Sequence, residues 1–168
     1  MELAFAAFHI ALMAIAAAIF VAAAAHDSCT YRIPNYLSAL LLVLFPIFVI
    51  TAPEGIDWQQ NLGVFAIVVV SGFAMFLGHL AGAGDIKLLS AGALWAGPHY
   101  IAVLLAVTAV AGGVVSVVMA MLTHLRQRHI AQEEQEKISR VPIPYGIAIA
   151  AGGLTVLGMM ARPILLPA

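Results

Sequence analysis

Charge is what this chain has least of. Only 9% of its 168 residues are Asp, Glu, Lys or Arg, where a water-soluble domain carries about a quarter. With 64% hydrophobic residues and a mean hydropathy of +1.07, the apolar excess is more than one core of this size hides. A soluble globular protein is excluded. Seven basic residues against eight acidic ones, a net charge of -1, leave no basic surface for nucleic acid. No stretch interleaves aromatics with Arg or Lys as a single-strand binder would. One cysteine, Cys29, excludes an internal disulfide and every paired-cysteine zinc or redox motif. His26, His79, His99, His124 and His129 fall at no metal-ligand spacing, so neither a metal nor another cofactor is expected.

What is present is apolar sequence in long runs. About 20 apolar residues span a 30 Å hydrocarbon core, and the runs between charged or Pro/Gly-rich breaks number six: residues 3–25, 36–51, 62–80, 86–96, 100–122 and 144–160. The first is preceded by Met1-Glu2, acidic where a secretory signal needs positive charge, so it reads as a retained transmembrane helix. The fold class is therefore all-α: a polytopic membrane protein in one domain, residues 1–168, whose partner throughout is the lipid bilayer. The pairs Gly112-Gly113 and Gly152-Gly153 fall inside spans, where small residues let helices approach closely.

Counting Lys and Arg on alternate sides gives the orientation. With the N-terminus outside, the inner segments hold Arg32, Lys87, Arg126, Arg128, Lys137 and Arg140, and the outer ones only Arg162. The stretch 123–143 is then a cytoplasmic loop. Its Glu133, Glu134 and Glu136 read first as a solvated face, with reception of a basic peptide as the sharper alternative. The span 86–96 is short: at 1.5 Å per residue it measures roughly 16 Å against a core of about 30 Å. Its Gly82 to Asp85 end is expected to be recessed.

Of three aspartates, Asp57 falls in an outer loop, where a solvated acid needs no function. Asp27 closes the first span and Asp85 opens the fourth, so the count of Lys and Arg puts both at the inner face. Two carboxylates brought close at a membrane boundary do not both ionise cheaply, so one serves as a base while the other serves as an acid. Such a pair activates water against a peptide carbonyl. In Gly82-Ala83-Gly84-Asp85 the missing Cβ atoms permit left-handed backbone and close approach of another chain, and Asp85 is placed to cap a helix beginning at Ile86. Taken alone, the tetrapeptide reads as a capped turn.

Three segments carry a resemblance. The run Asp27-Ser28-Cys29-Thr30-Tyr31-Arg32-Ile33-Pro34-Asn35 resembles the first signature of the prepilin peptidases of the Gly-x-Gly-Asp aspartic class, an Asp followed at fixed spacing by Arg-Ile-Pro-Asn. Gly82-Ala83-Gly84-Asp85-Ile86-Lys87-Leu88 resembles their second, and Pro144-Tyr145-Gly146-Ile147-Ala148 is similar to the segment opening their last helix. The resemblance implies a membrane endopeptidase of type IV pilus systems that removes the leader from pilin-like precursors on the cytoplasmic side of the bacterial inner membrane. It makes Asp27 and Asp85 the catalytic pair. It also implies a site shaped by Gly82, Gly84, Lys87, Arg32, Pro34, Asn35, Pro144, Tyr145 and Gly146, and a preference for Gly just before the cut.

Larger members of that family carry a cytoplasmic insertion with paired cysteines and methylate the new N-terminus. Here about ten residues separate the first two spans, which resembles the short, peptidase-only form of Flp/Tad-type pili. Cys29, beside His26, is not expected to be a nucleophile. Lys87 falls about 200° round the helix from Asp85, so it is not its helical salt-bridge partner and reads as a phosphate-seeking interfacial lysine. Arg32 reads equally as an inner-face anchor or a carboxylate ligand. Pro34 and Asn35 read first as the start of the second helix. Paired membrane carboxylates also mark proton-coupled small transporters, the alternative function. Against that reading, both aspartates fall at one face and the two halves show no repeat. The Gly82 to Gly84 backbone is expected to offer its amides to an extended substrate.

Overall fold

The structure, a computed structural model, describes residues 2–52, 56–127 and 144–165. Among these residues every regular element is helical. Helix α1 is Glu2–Thr30, α2 is Asn35–Ile50 and α3 is Trp58–Leu77. The stretch Ala83–Gln127 is broken at Gly97 (φ 55°, ψ -169°) into α4 (residues 83–96) and α5 (residues 98–127). Helix α6 is Gly146–Leu165. Residues 128–143, most of the expected inner loop with Glu133, Glu134, Glu136, Arg128, Lys137 and Arg140, lie outside the described residues.

Helix ends differ from the hydropathy boundaries because polar residues extend several helices past their apolar cores. Helix α1 continues to Thr30 with Ser28 and Thr30 donating to the carbonyls four residues back. Helix α3 starts at Trp58 because Asp57, expected to be a plain loop residue, accepts the Gln60 N–H and caps it. Helix α4 starts at Ala83, so Asp85 sits inside its first turn, not at its cap. Helix α5 runs to Gln127, into the stretch read as loop.

Phe5–Thr30, Trp58–Leu77, Ala83–Leu125 and Gly146–Leu165 are long and apolar enough to cross a membrane, and Asn35–Ile50 is a shorter apolar helix. The outward faces match that solvent: Ile50, Leu80 and Val70 are 83%, 75% and 70% exposed. Exposed apolar surface on this scale belongs against lipid.

Helix α4 is the centre. Its 14 residues rise about 21 Å, short of a full crossing, and residues 90–97 are all buried. Together α4 and α5 pack against α2, α3 and α6. The indole N–H of Trp95 donates to Leu41 O at 3.0 Å, and the Phe48 and Phe45 rings stand 5.0 and 5.9 Å from it. Of the two glycine pairs, Gly152-Gly153 is a packing seam. A Cβ at Gly152 would lie 2.8 Å from Leu104 O of α5, and one at Gly153 2.7 Å from the Phe20 ring of α1. The other pair is not a seam, since Gly112 has only ordinary contacts and Gly113 faces nothing within 4 Å.

The break after α4 is held by Asn61 of α3, which is 8% exposed and donates from Nδ2 to Leu94 O at 2.9 Å. Gly97 adopts positive φ there, and a Cβ on it would lie 2.5 Å from Asn61 Oδ1. Gly97→Ala combines a left-handed alanine with displacement of that cap. It is expected to cost about 2–4 kcal/mol, seen as a lower unfolding midpoint in detergent. An unchanged midpoint would show that the break tolerates a side chain.

Candidate active site

The end of α1 is folded back by its own side chains. The Tyr31 N–H donates to Asp27 O at 2.8 Å and Tyr31 takes positive φ. His26 Nδ1 donates to Arg32 O at 2.8 Å, and the Thr30 hydroxyl lies 3.2 Å from the same oxygen. This knot gives His26 a structural place, while Cys29 is exposed beside it. Pro34 is the extended residue before α2, and Asn35 is the first residue of that helix. Arg32 points to the exterior.

Asp27 itself is 4% exposed. Its Oδ2 accepts the backbone N–H of Gly146 at 2.8 Å, at the opening of α6. A helix N-terminus presents unpaired amides and the positive end of the helix dipole, so the carboxylate is both hydrogen-bonded and electrostatically complemented. Glycine is required at 146 for this approach. A Cβ there would lie 2.8 Å from Asp27 Cβ and 2.9 Å from Oδ2. Pro144 is buried just ahead of it.

Asp85 reaches the same end of the bundle from α4. The turn at 31–34 and the start of α4 meet directly: a Cβ at Gly84 would lie 3.2 Å from Ile33 Cβ and 3.5 Å from Ile33 O. Asp27 is close enough to Asp85 for the two carboxylates to act on each other electrostatically. The side chain of Asp85 turns back over Gly82, where a Cβ would lie 2.8 Å from its Oδ2. Neither Gly82 nor Gly84 has positive φ. The expected left-handed turn is therefore absent at these positions, and the glycines serve close approach.

Asp85 lines a cavity of about 560 Å³ between α3, α4, α5 and α6, with Gly82, His79, Thr108 and Tyr145 as its other polar or backbone edges. Its walls include Val68, Met75, Phe76 and Leu80. Gly84 is not among the lining residues, because Ile33 covers it, so the expected amide surface along 82–84 reduces to Gly82. Asp27 is not in the lining either. It stays against Gly146, whose neighbour Tyr145 does line the cavity. Sequence reasoning missed Thr108 and His79. Thr108 is one of several hydroxyls in an apolar helix and nothing in the sequence sets it apart, and His79 owes its place to the positive-φ turn at the end of α3, which has no spacing signal.

Lys87 does not join this cavity. Its Nζ donates to Asn35 Oδ1 at 2.9 Å, and both line a second cavity, on the other side of Ile86.

A sequence profile of the Type IV leader peptidase family matches residues 14–117, more than half of the chain and inclusive of both aspartates. No curated protein and no solved structure matches the chain.

Proposed function

The chain belongs to the type IV leader peptidase family, and from that premise we propose that it is a membrane-embedded aspartic endopeptidase that removes the leader from Flp-type prepilins, with Asp27 and Asp85 as its catalytic pair. The observation that carries the reading is the convergence of two carboxylates, one from α1 and one from α4, on one end of the bundle. Asp27 is seated on the α6 opening, and Asp85 faces a cavity with apolar walls. Placement at one bundle end favours a peptidase over a proton-coupled carrier, whose carboxylates would mark a path across the membrane.

In the proposed reaction one carboxylate takes a proton from a water molecule as its oxygen attacks the scissile carbonyl. The other carboxyl gives a proton to the carbonyl oxygen. The first then passes its proton to the amide nitrogen while the second takes one back from a hydroxyl of the tetrahedral intermediate, so the C–N bond breaks, the new amine and carboxyl leave, and both groups return to their starting states. The apolar walls suit the hydrophobic start of the mature pilin, and the polar edge at Asp85, His79 and Gly82 suits the leader junction. Helical backbone hides its carbonyls, so a Gly before the cut helps the segment open, by about 1 kcal/mol relative to Ala. The excess of Lys and Arg on the segments that share a side with both aspartates supports a cytoplasmic active site in the plasma membrane. The short α1–α2 connection without paired cysteines supports cleavage without methylation. The inner loop of this scheme is the part of 123–143 beyond the end of α5 at Gln127, within a single domain.

The test is incubation of the purified protein with an Flp-type prepilin, comparing wild type with Asp27→Asn and Asp85→Asn. The glycines supply a finer one. In Gly82→Val only the movable end of Asp85 must give way, so cleavage should fall by about tenfold or more while the unfolding midpoint holds. Gly84→Val presses on Ile33 Cβ, which has no rotamer to retreat into, and should lose about 1–3 kcal/mol of stability. Normal cleavage by Gly82→Val would mean that the present setting of Asp85 is immaterial to turnover.

A further inference from the structure

The second cavity, of about 320 Å³, opens between α2, α3 and α4 at the end of the bundle where α2 and α4 begin. Asn35 and Ser38 face it from α2, and Lys87 and Ser90 face it from α4. Each pair is three residues apart, on one helical face. Lys87 and Asn35 form the exposed mouth, joined by their 2.9 Å hydrogen bond. Ser38 and Ser90 lie deeper, 4% and 2% exposed, and neither hydroxyl has a hydrogen-bond partner.

Most hydroxyls on these helices behave otherwise, Thr108 in the Asp85 cavity being the other buried hydroxyl without a partner among the described residues. The hydroxyls of Ser28, Ser71, Ser116, Thr123 and Thr155 all donate to the carbonyl four residues back. A buried hydroxyl left unpaired costs free energy, and two of them in one cavity beside a lysine call for a common acceptor. The polar groups available to it are an ammonium, a carboxamide and two hydroxyls, with no carboxylate in the lining. Such a set selects an anion with several oxygens. Leu42, Phe65 and Val69 continue the wall as apolar surface, and Leu42 and Val69 are themselves 37% and 36% exposed on the flank of the bundle. An anion attached to a hydrocarbon chain fits both halves.

We propose that this cavity binds the phosphate of an anionic phospholipid headgroup, with Lys87 and Asn35 at the mouth, Ser38 and Ser90 as inner donors, and an acyl chain along Leu42 and Val69. The site is separate from the Asp85 cavity and does not depend on which peptide bond is cut. A carboxylate on a peptide substrate is the competing ligand, and the position of the site across Ile86 from Asp85 speaks against it.

The full-length protein in a neutral detergent tests this by native mass spectrometry and thermal unfolding, with phosphatidylglycerol, phosphatidylcholine and inorganic phosphate as separate probes. Wild type should hold one phosphatidylglycerol about tenfold more tightly than phosphatidylcholine, and its midpoint should rise with the anionic lipid. The double variant Ser38→Ala/Ser90→Ala, and separately Lys87→Met, should weaken phosphatidylglycerol binding by about tenfold. Without lipid the double variant should unfold no earlier than wild type, because removing unpaired buried hydroxyls forfeits no bond. Equal binding of the two lipids, or unchanged phosphatidylglycerol affinity in both variants, overturns the proposal. Displacement of the lipid by millimolar inorganic phosphate makes this a free-anion site, and displacement by an acidic peptide makes it a substrate site. Either result also overturns it.

Discussion

Asp85→Asn is expected to lower leader cleavage by about 10³-fold or more, and Asp27→Asn to do the same, with both proteins unfolding at the wild-type midpoint. Proton transfer by a positioned group is worth about 10²–10⁴ in rate, and the amide performs neither half of it at neutral pH. The structural consequences of the two changes are small for different reasons. At position 27 the amide oxygen of Asn still accepts the Gly146 N–H that Asp27 Oδ2 accepts at 2.8 Å. At position 85 the side chain borders a cavity, so an isosteric replacement displaces nothing. Asp27→Ala should behave differently. It leaves the buried Gly146 amide without its acceptor and should cost about 1 kcal/mol or more of stability in addition to activity. Turnover within tenfold of wild type in either Asn variant would remove that residue from the proposed catalytic pair.

The class of fold was legible because hydropathy is a bulk property: too many apolar residues and too few charges leave only lipid as solvent. The helix ends were not, because they are decided by single polar contacts. Asp57 capping α3, and Ser28 and Thr30 feeding their hydroxyls back into α1, are invisible to a window average. The two aspartates could be singled out by scarcity and by falling on one side of the Lys and Arg count. Their supports could not be ranked that way. That Gly84 serves Ile33 and Gly82 serves Asp85 is a matter of which neighbour stands within 4 Å, and two glycines in one tetrapeptide look alike in one dimension. Lys87 shows the reverse case. Its angular offset from Asp85 was enough to deny it a salt bridge there, and the structure adds where it goes, to Asn35 at the start of α2. Ser38 and Ser90 had no signal at all, since a serine in an apolar helix ordinarily satisfies itself on its own backbone.

Gly146→Ala should damage fold and activity together: a loss of about 2–3 kcal/mol in stability and of about 10²-fold in cleavage by the protein that remains folded. The new Cβ would stand 2.8 Å from Asp27 Cβ and 2.9 Å from Oδ2. The first of these atoms is fixed to the backbone of α1 and has no rotamer to retreat into, so α6 must back away. Its retreat lengthens the Gly146 bond that seats Asp27, and a displacement approaching 1 Å is enough to spoil a proton-transfer geometry. Gly158→Ala on the same helix is the control. Nothing lies within 4 Å of a Cβ there, and alanine favours a helix over glycine by up to about 1 kcal/mol, so this variant should equal or exceed wild type in stability and cleave normally. Temperature separates the two losses at position 146. If the methyl acted only by unfolding the protein, cooling to where the variant is fully folded would restore the rate per folded molecule. With Asp27 displaced, kcat should stay low in the cold, and full recovery there would show that the α6 opening holds the fold without setting the catalytic pair.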